Sequence, residues 1–237
     1  MTILQKFSAV ALLGLSLQAL NAQAASVVQI PVQPLLNARP VTTISNGQLT
    51  TWNIGIDGNG LGNGYLTRAA AAKVGDKTVA ALPNSSLLPA TARHPAFQLH
   101  YNNKETKLNQ ARYLRDQDSF TLPVPNNHYA QLFLAFTSAE GATGINVELQ
   151  YTDSTENIAL TVPDYYADIA ADDPTFFYLL HNLAKWDKAN KLKEEDHHNI
   201  DGAELRPDKN KILTGVKITK LTKGYLVFWG ATGVTAK

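Results

Sequence analysis

Three groups of residues have the types and spacing that could do chemistry. The first is a glycine-rich run, Gly55-Ile56-Asp57-Gly58-Asn59-Gly60-Leu61-Gly62-Asn63-Gly64-Tyr65, which invites comparison with phosphate-binding loops. It fails the spacing test. Counting Gly-x-Gly-x-x-Gly from Gly58 ends on Asn63, counting from Gly60 ends on Tyr65, and no Gly-Lys-Ser/Thr follows. What remains is a tight loop whose glycines permit positive φ or close backbone approach. Asp57, Asn59 and Asn63 are its candidate ligands for a structural calcium, because calcium takes carboxylate, amide and backbone oxygens from flexible loops. The alternative is a set of Asx-capped turns, since the run lacks the twelve-residue helix-loop-helix calcium pattern.

The second group is Glu194-Glu195-Asp196-His197-His198, which has metal-ligand composition. Adjacent histidines on a strand point to opposite faces, and no His-Glu-x-x-His pair accompanies them, so an exposed polar loop is expected. Neighbouring carboxylates (Asp116 with Asp118, Asp153 with Asp164, Asp172 with Asp173) are the types that hydrolyse sugars, yet catalytic separations are set in space, and turn-forming aspartates are expected instead. No Gly-x-Ser-x-Gly nucleophile elbow occurs. The third group is aromatic. Tyr65, Tyr101, Tyr113, Tyr165 and Trp186, with Tyr166, fall in or near expected loops, and rings of this kind stack on the apolar faces of sugars. The competing reading has them cover the ends of a core.

The elements that must position these residues are strands. Ile145, Val147, Leu149 and Tyr151 alternate with polar residues, which predicts a strand with one wet face. Tyr129 to Phe136 is a short apolar run that predicts a central strand buried on both faces, and the turn at 137–143 suggests that the two are antiparallel neighbours. Further strand signals occur at 27–32, 51–56, 97–101, 119–124, 158–162, 176–180, 212–219 and 225–229. Leu66 to Val74 reads as two helical turns, and Trp186 to Glu195 as another short helix. Roughly ten strands with Gly, Pro and Asn punctuation predict an all-β fold, an antiparallel β-sandwich occupying residues 25–237 as one domain.

Residues 1–24 read as a secretory signal peptide. Lys6 is their only charged residue, Phe7 to Leu20 is almost unbroken apolar sequence, and Ala22-Gln23-Ala24 forms a small-x-small cleavage triplet. The expected location is therefore periplasmic or secreted. The mature chain would balance 20 Lys+Arg against 20 Asp+Glu, so no nucleic acid is implied. There is no cysteine for a disulfide, a lipid anchor or a thiol nucleophile, and no second apolar stretch long enough for a membrane span.

The chain resembles the galactose-binding-like jelly-roll modules found with bacterial carbohydrate-active enzymes. The resemblance rests on Asp57-Gly58-Asn59-Gly60 with Tyr65, on His128 to Ala135 followed by Val147 to Asp153 and by Val162-Pro163-Asp164-Tyr165, and on Lys211 to Ile218 and Tyr225 to Gly230 as closing strands. Ser154 and Tyr165 depart from the glycine and tryptophan more usual there. The resemblance implies a jelly roll and a carbohydrate partner, with no catalytic residues assigned. An envelope structural or protein-interaction role, and a glycoside hydrolase or polysaccharide lyase, are the alternatives.

Overall fold

The computed structural model describes residues 25–76 and 80–237, so the expected signal peptide at 1–24 lies outside the described residues. The fold is an all-β sandwich. In chain order the elements are β1 (Val27–Gln29), β2 (Val41–Ser45), β3 (Gln48–Thr50), β4 (Asn63–Leu66), α1 (Arg68–Lys73), β5 (Leu87–Leu88), β6 (Phe97–Gln98), β7 (Arg112–Leu114), β8 (Ser119–Asn127), β9 (Tyr129–Ala139), β10 (Thr143–Tyr151), β11 (Thr155–Val162), β12 (Phe176–Asp187), β13 (Leu192–Leu205), β14 (Leu213–Lys220) and β15 (Tyr225–Thr235).

A nine-stranded sheet runs β1-β15-β9-β13-β12-β4-β2-β3, with β7 also pairing β15. Facing it is a four-stranded sheet, β11-β10-β14-β8, and β5 with β6 form a separate hairpin-like pair. Pairing is antiparallel except between β2 and β4.

Period-two alternation decides the smaller sheet. Ile145, Val147 and Leu149 on β10 and Phe120, Leu122 and Val124 on β8 turn inward to meet Leu132, Leu134 and Phe136 of β9. The opposite face of β9 carries Phe133 and Ala135 into a second core with Tyr65, Phe97, Tyr101 and Trp229. Burial on both faces explains why β9 reads as an apolar run rather than an alternation.

Several expectations change. β9 and β10 are not neighbours: β9 lies between β15 and β13, β10 between β11 and β14, and a turn at 140–142, shorter than the expected 137–143, carries the chain from one sheet to the other. Residues 51–56 form a loop, because Trp52 is buried beneath it and a side chain at Gly64 would sit 2.6 Å from the Trp52 ring. The expected short helix at 186–195 is the end of β12, a turn and the start of β13, whose charged side chains project from a hairpin. α1 forms where expected, with Thr67 accepting the Ala70 N–H as its N-cap. Ala70 and Ala71 are small enough to let Trp186 pack against it.

Candidate functional site

The glycine-rich loop leaves the β2–β3 hairpin, makes a 3-10 turn at Gly58–Gly60 and re-enters the large sheet as β4. At its centre Asp57 is 4% exposed. The Asp57 carboxylate accepts the Asn63 backbone N–H at 2.5 Å and the Asn63 side-chain amide at 3.0 Å. It also accepts the Tyr165 hydroxyl and the Lys185 ammonium, each at 3.4 Å. Gly62 is required here, since a Cβ at that position would collide with the Asp57 carboxylate. The three proposed calcium ligands therefore do not fit that ion as they stand. Asn63 turns donors, not oxygen, toward Asp57, the Asn59 side-chain oxygen accepts the Tyr113 hydroxyl at 3.0 Å, and Lys185 supplies the positive charge that calcium would bring.

Lys185, only 5% exposed on β12, is the hub of this inner cluster. Its Nζ donates to Glu194 at 2.8 Å, to the Tyr166 hydroxyl at 3.0 Å and to the Tyr165 hydroxyl at 3.1 Å. The two phenols pass the charge on: Tyr165 donates to Asp57, and Tyr166 donates to Glu194 at 2.6 Å. Burial alone would lower the lysine, but its bonds to Glu194, Tyr166 and Tyr165 outweigh burial and hold its pKa above the ordinary value. The same bonds from Lys185 and Tyr166 overcome the opposing effect of burial and keep the Glu194 carboxyl below its ordinary range.

His198 closes the cluster on β13. It has no exposed surface, which corrects the exposed-loop expectation for this residue, while its neighbour His197 is exposed. Nδ1 lies 2.7 Å from the Leu183 carbonyl, which can only accept, so Nδ1 carries the proton and Nε2 can only accept; it lies 3.1 Å from the Tyr166 hydroxyl, whose single proton is shared between it and Glu194. Burial lowers its pKa, the Leu183 carbonyl opposes this, and Lys185 adds to it, so the ring is held neutral. A histidine and a tyrosine do converge, as a hydrolase or lyase would require. The network reaches the surface through Tyr166, 45% exposed, and Glu194, but the imidazole itself has no surface for a substrate.

On the outer side of the same loop four turns meet at one end of the sandwich. Asn59 and Tyr113 join Arg115 and Asp116 from the β7–β8 turn, Glu140 from the β9–β10 turn, and Lys223 to Tyr225 from the β14–β15 turn, around a cleft of about 650 Å³. The Glu140 carboxylate accepts the Gly58 N–H at 3.2 Å, which ties the rim to the loop. Asp116 is fixed from below by Lys220, a lysine with no exposed surface whose ammonium lies 2.5 Å from the carboxylate. Tyr225 is half-buried beside them.

No protein-family model matches this chain, and no curated protein matches it either. The geometry has to carry the reading.

The proposed aromatic platform is not assembled. Tyr65, Tyr101, Tyr113, Tyr165 and Trp186 are all less than 5% exposed and belong to the cores. Burial raises the Tyr65, Tyr101 and Tyr165 phenols well above their ordinary value and pushes Tyr113 up to about 12. Among them Tyr101 donates to the Pro83 carbonyl at 2.8 Å, and the Trp186 indole N–H donates to Asp76 at 3.1 Å. Only Tyr113, with Asn59, reaches the open cleft. Sequence reasoning named His198 but expected it in an exposed loop, and it missed Lys185 and the cleft residues Arg115, Glu140, Lys223 and Tyr225. For Lys185 a signal was present: a lone lysine between Leu183-Ala184 and Trp186, all buried, is the pattern of a paired interior cation.

Proposed function

We propose that the protein is an exported, non-catalytic carbohydrate-binding or accessory module of the galactose-binding-like jelly-roll kind, and that it takes its glycan in the loop-end cleft. The observation that carries this reading is the cleft itself. Its volume is that of small-molecule sites, and it gathers acceptors (Asp116, Glu140), donors (Arg115, Lys223) and the partly exposed Tyr225 ring from four separate turns. Sugars need both acceptors and donors around a ring face. The inner cluster supports a scaffold role, since it fixes the loop that forms one wall. The test is retention of purified residues 25–237 on immobilised polysaccharides while reducing-sugar release is followed in the same wells. Retention without release, lost in Tyr225→Ala, supports the module. Release of sugar would move the reading to an enzyme.

A protein-interaction role has one observation in its favour. The smaller sheet ends in β8 on one side, blunted by Pro123 and Pro125, and in β11 on the other, which carries neither proline nor lysine. An open edge of that kind suits strand addition. Concentration-dependent association abolished by Ala159→Pro would support it.

A further inference from the structure

We infer that the loop-end cleft selects glycans bearing carboxylates, the uronic-acid class, over neutral ones; this rests on the reading that the cleft binds sugar. Arg115 and Lys223 are exposed, and among the described residues no ion pair engages either. The two acids on the same rim each have one partner. Asp116 is held by the buried Lys220 ammonium, and Glu140 accepts the Gly58 N–H. Two cations and two carboxylates therefore line the cleft, and because the buried Lys220 balances Asp116 from beneath, Arg115 and Lys223 together outweigh the one remaining carboxylate, Glu140.

Hydrogen-bond direction points the same way. Because the Asn59 side-chain oxygen accepts from Tyr113, its amide N–H groups remain as donors in the cleft. An arginine fork, an ammonium and an amide are the donor set that binds a carboxylate, and the guanidinium can grip it through two parallel bonds. Asp116 and Glu140 keep free lone pairs for sugar hydroxyls, so the carboxylate and the ring would be read by different groups. Lys220 has a positioning part: buried beneath Asp116, it prevents that carboxylate from swinging onto Arg115 and quenching it.

The experiment compares a polyuronide (polygalacturonate), the same polymer after carboxyl reduction, a matched neutral galactan and a sulfated galactan, by calorimetry on residues 25–237. The expected result is binding of the polyuronide at least about tenfold tighter than its reduced form. It should weaken as salt rises and be lost in Arg115→Glu and Lys223→Glu, with circular dichroism and Tm unchanged. Equal binding of reduced and native polymer, still lost in Tyr225→Ala, would leave the cleft a sugar site and overturn the acidic preference. Binding of the sulfated polymer alone would overturn the carboxylate assignment. Binding of none would overturn the sugar reading and this inference with it.

Discussion

The two sides of the glycine-rich loop treat charge in opposite ways. On the inner side, Asp57, Lys185, Glu194 and His198 are tied to one another through two phenols, and every cation has a carboxylate within reach. On the outer side, on turns that meet the loop at Asn59, Arg115 and Lys223 are exposed and enter no ion pair among the described residues, while the neighbouring Asp116 and Glu140 each have one partner. Both regions are rich in ionisable groups, so composition does not tell them apart. What separates them is whether the charges satisfy each other. A closed network holds an element in place, and a rim with uncommitted donors is open to a ligand.

The strongest way to break this contrast is to remove the hub of the closed side. Lys185→Met leaves Asp57 buried at 4% exposure without its counter-charge, and the expected loss is about 3–5 kcal/mol in urea unfolding, the cost of stranding one member of a buried pair. A loss below about 1 kcal/mol would mean that the inner cluster is solvated in solution and that the distinction is false. Lys185→Met with Asp57→Asn should recover part of the loss, because the stranded charge goes with its partner.

A second effect concerns Asp201, on β13 three residues beyond His198. It is 1% exposed, and neither carboxylate oxygen has a hydrogen-bond partner among the described residues. Burial, with a smaller push from Asp164, raises its pKa from 3.8 to about 8. Below about 3.8 the acid is protonated in both folded and unfolded chains. As pH rises toward 8 only the unfolded chain releases the proton, so stability falls across that window by about 1.4 kcal/mol per pH unit. His198 acts at the other end: its folded pKa lies below 6.5, so stability it confers above 6.5 is lost as pH falls below that value. Asp201→Asn is therefore expected to remove the loss between about pH 4 and 8, leave the acid-side loss, and move the optimum upward. An unchanged pH profile in thermal unfolding would show that Asp201 finds a partner in solution.

The legibility of the sequence follows the range of the interactions. β10 was readable residue by residue because its pattern is local: one wet face gives strict alternation. β9 was readable as a run buried on both faces, yet its neighbours were not, since β13 and β15 reach it from more than sixty positions away. Residues 51–56 have strand composition, but the contacts of Trp52 and the glycines at 62 and 64 turn them into a loop. The inner cluster was hidden for the same reason. Lys185 lies 128 residues from Asp57, and His198 directly follows a run of exposed residues, so only the tertiary fold shows that they share one cluster. The cleft was hidden more completely, because it is made of four turns, each unremarkable by itself. Asn59 and Tyr113 were singled out for other reasons, metal ligation and stacking, and meet there through one hydrogen bond.

A smaller effect sharpens the reading of the loop. If Lys185 occupies the electrostatic place of a metal, adding about 1 mM calcium should shift the Tm of residues 25–237 by less than about 1 °C relative to chelator, since a ligand that binds only the folded state must raise it. A rise of several degrees, lost in Asp57→Asn, would return calcium to the loop and require Lys185 to move aside.

The smallest expected change is on the open side. Lys223→Ala removes a charge that supports no other residue, so its effect on stability should stay within about 0.5 kcal/mol. Glycan retention in the cleft should nevertheless fall. That pairing is the other half of the test begun with Lys185: one lysine whose loss unfolds without touching a ligand, and one whose loss costs ligand without unfolding. If Lys223→Ala destabilised the fold by more than about 1 kcal/mol, the rim would hold structural contacts of its own. The outer side of the loop would then have to be read in the same terms as the inner one.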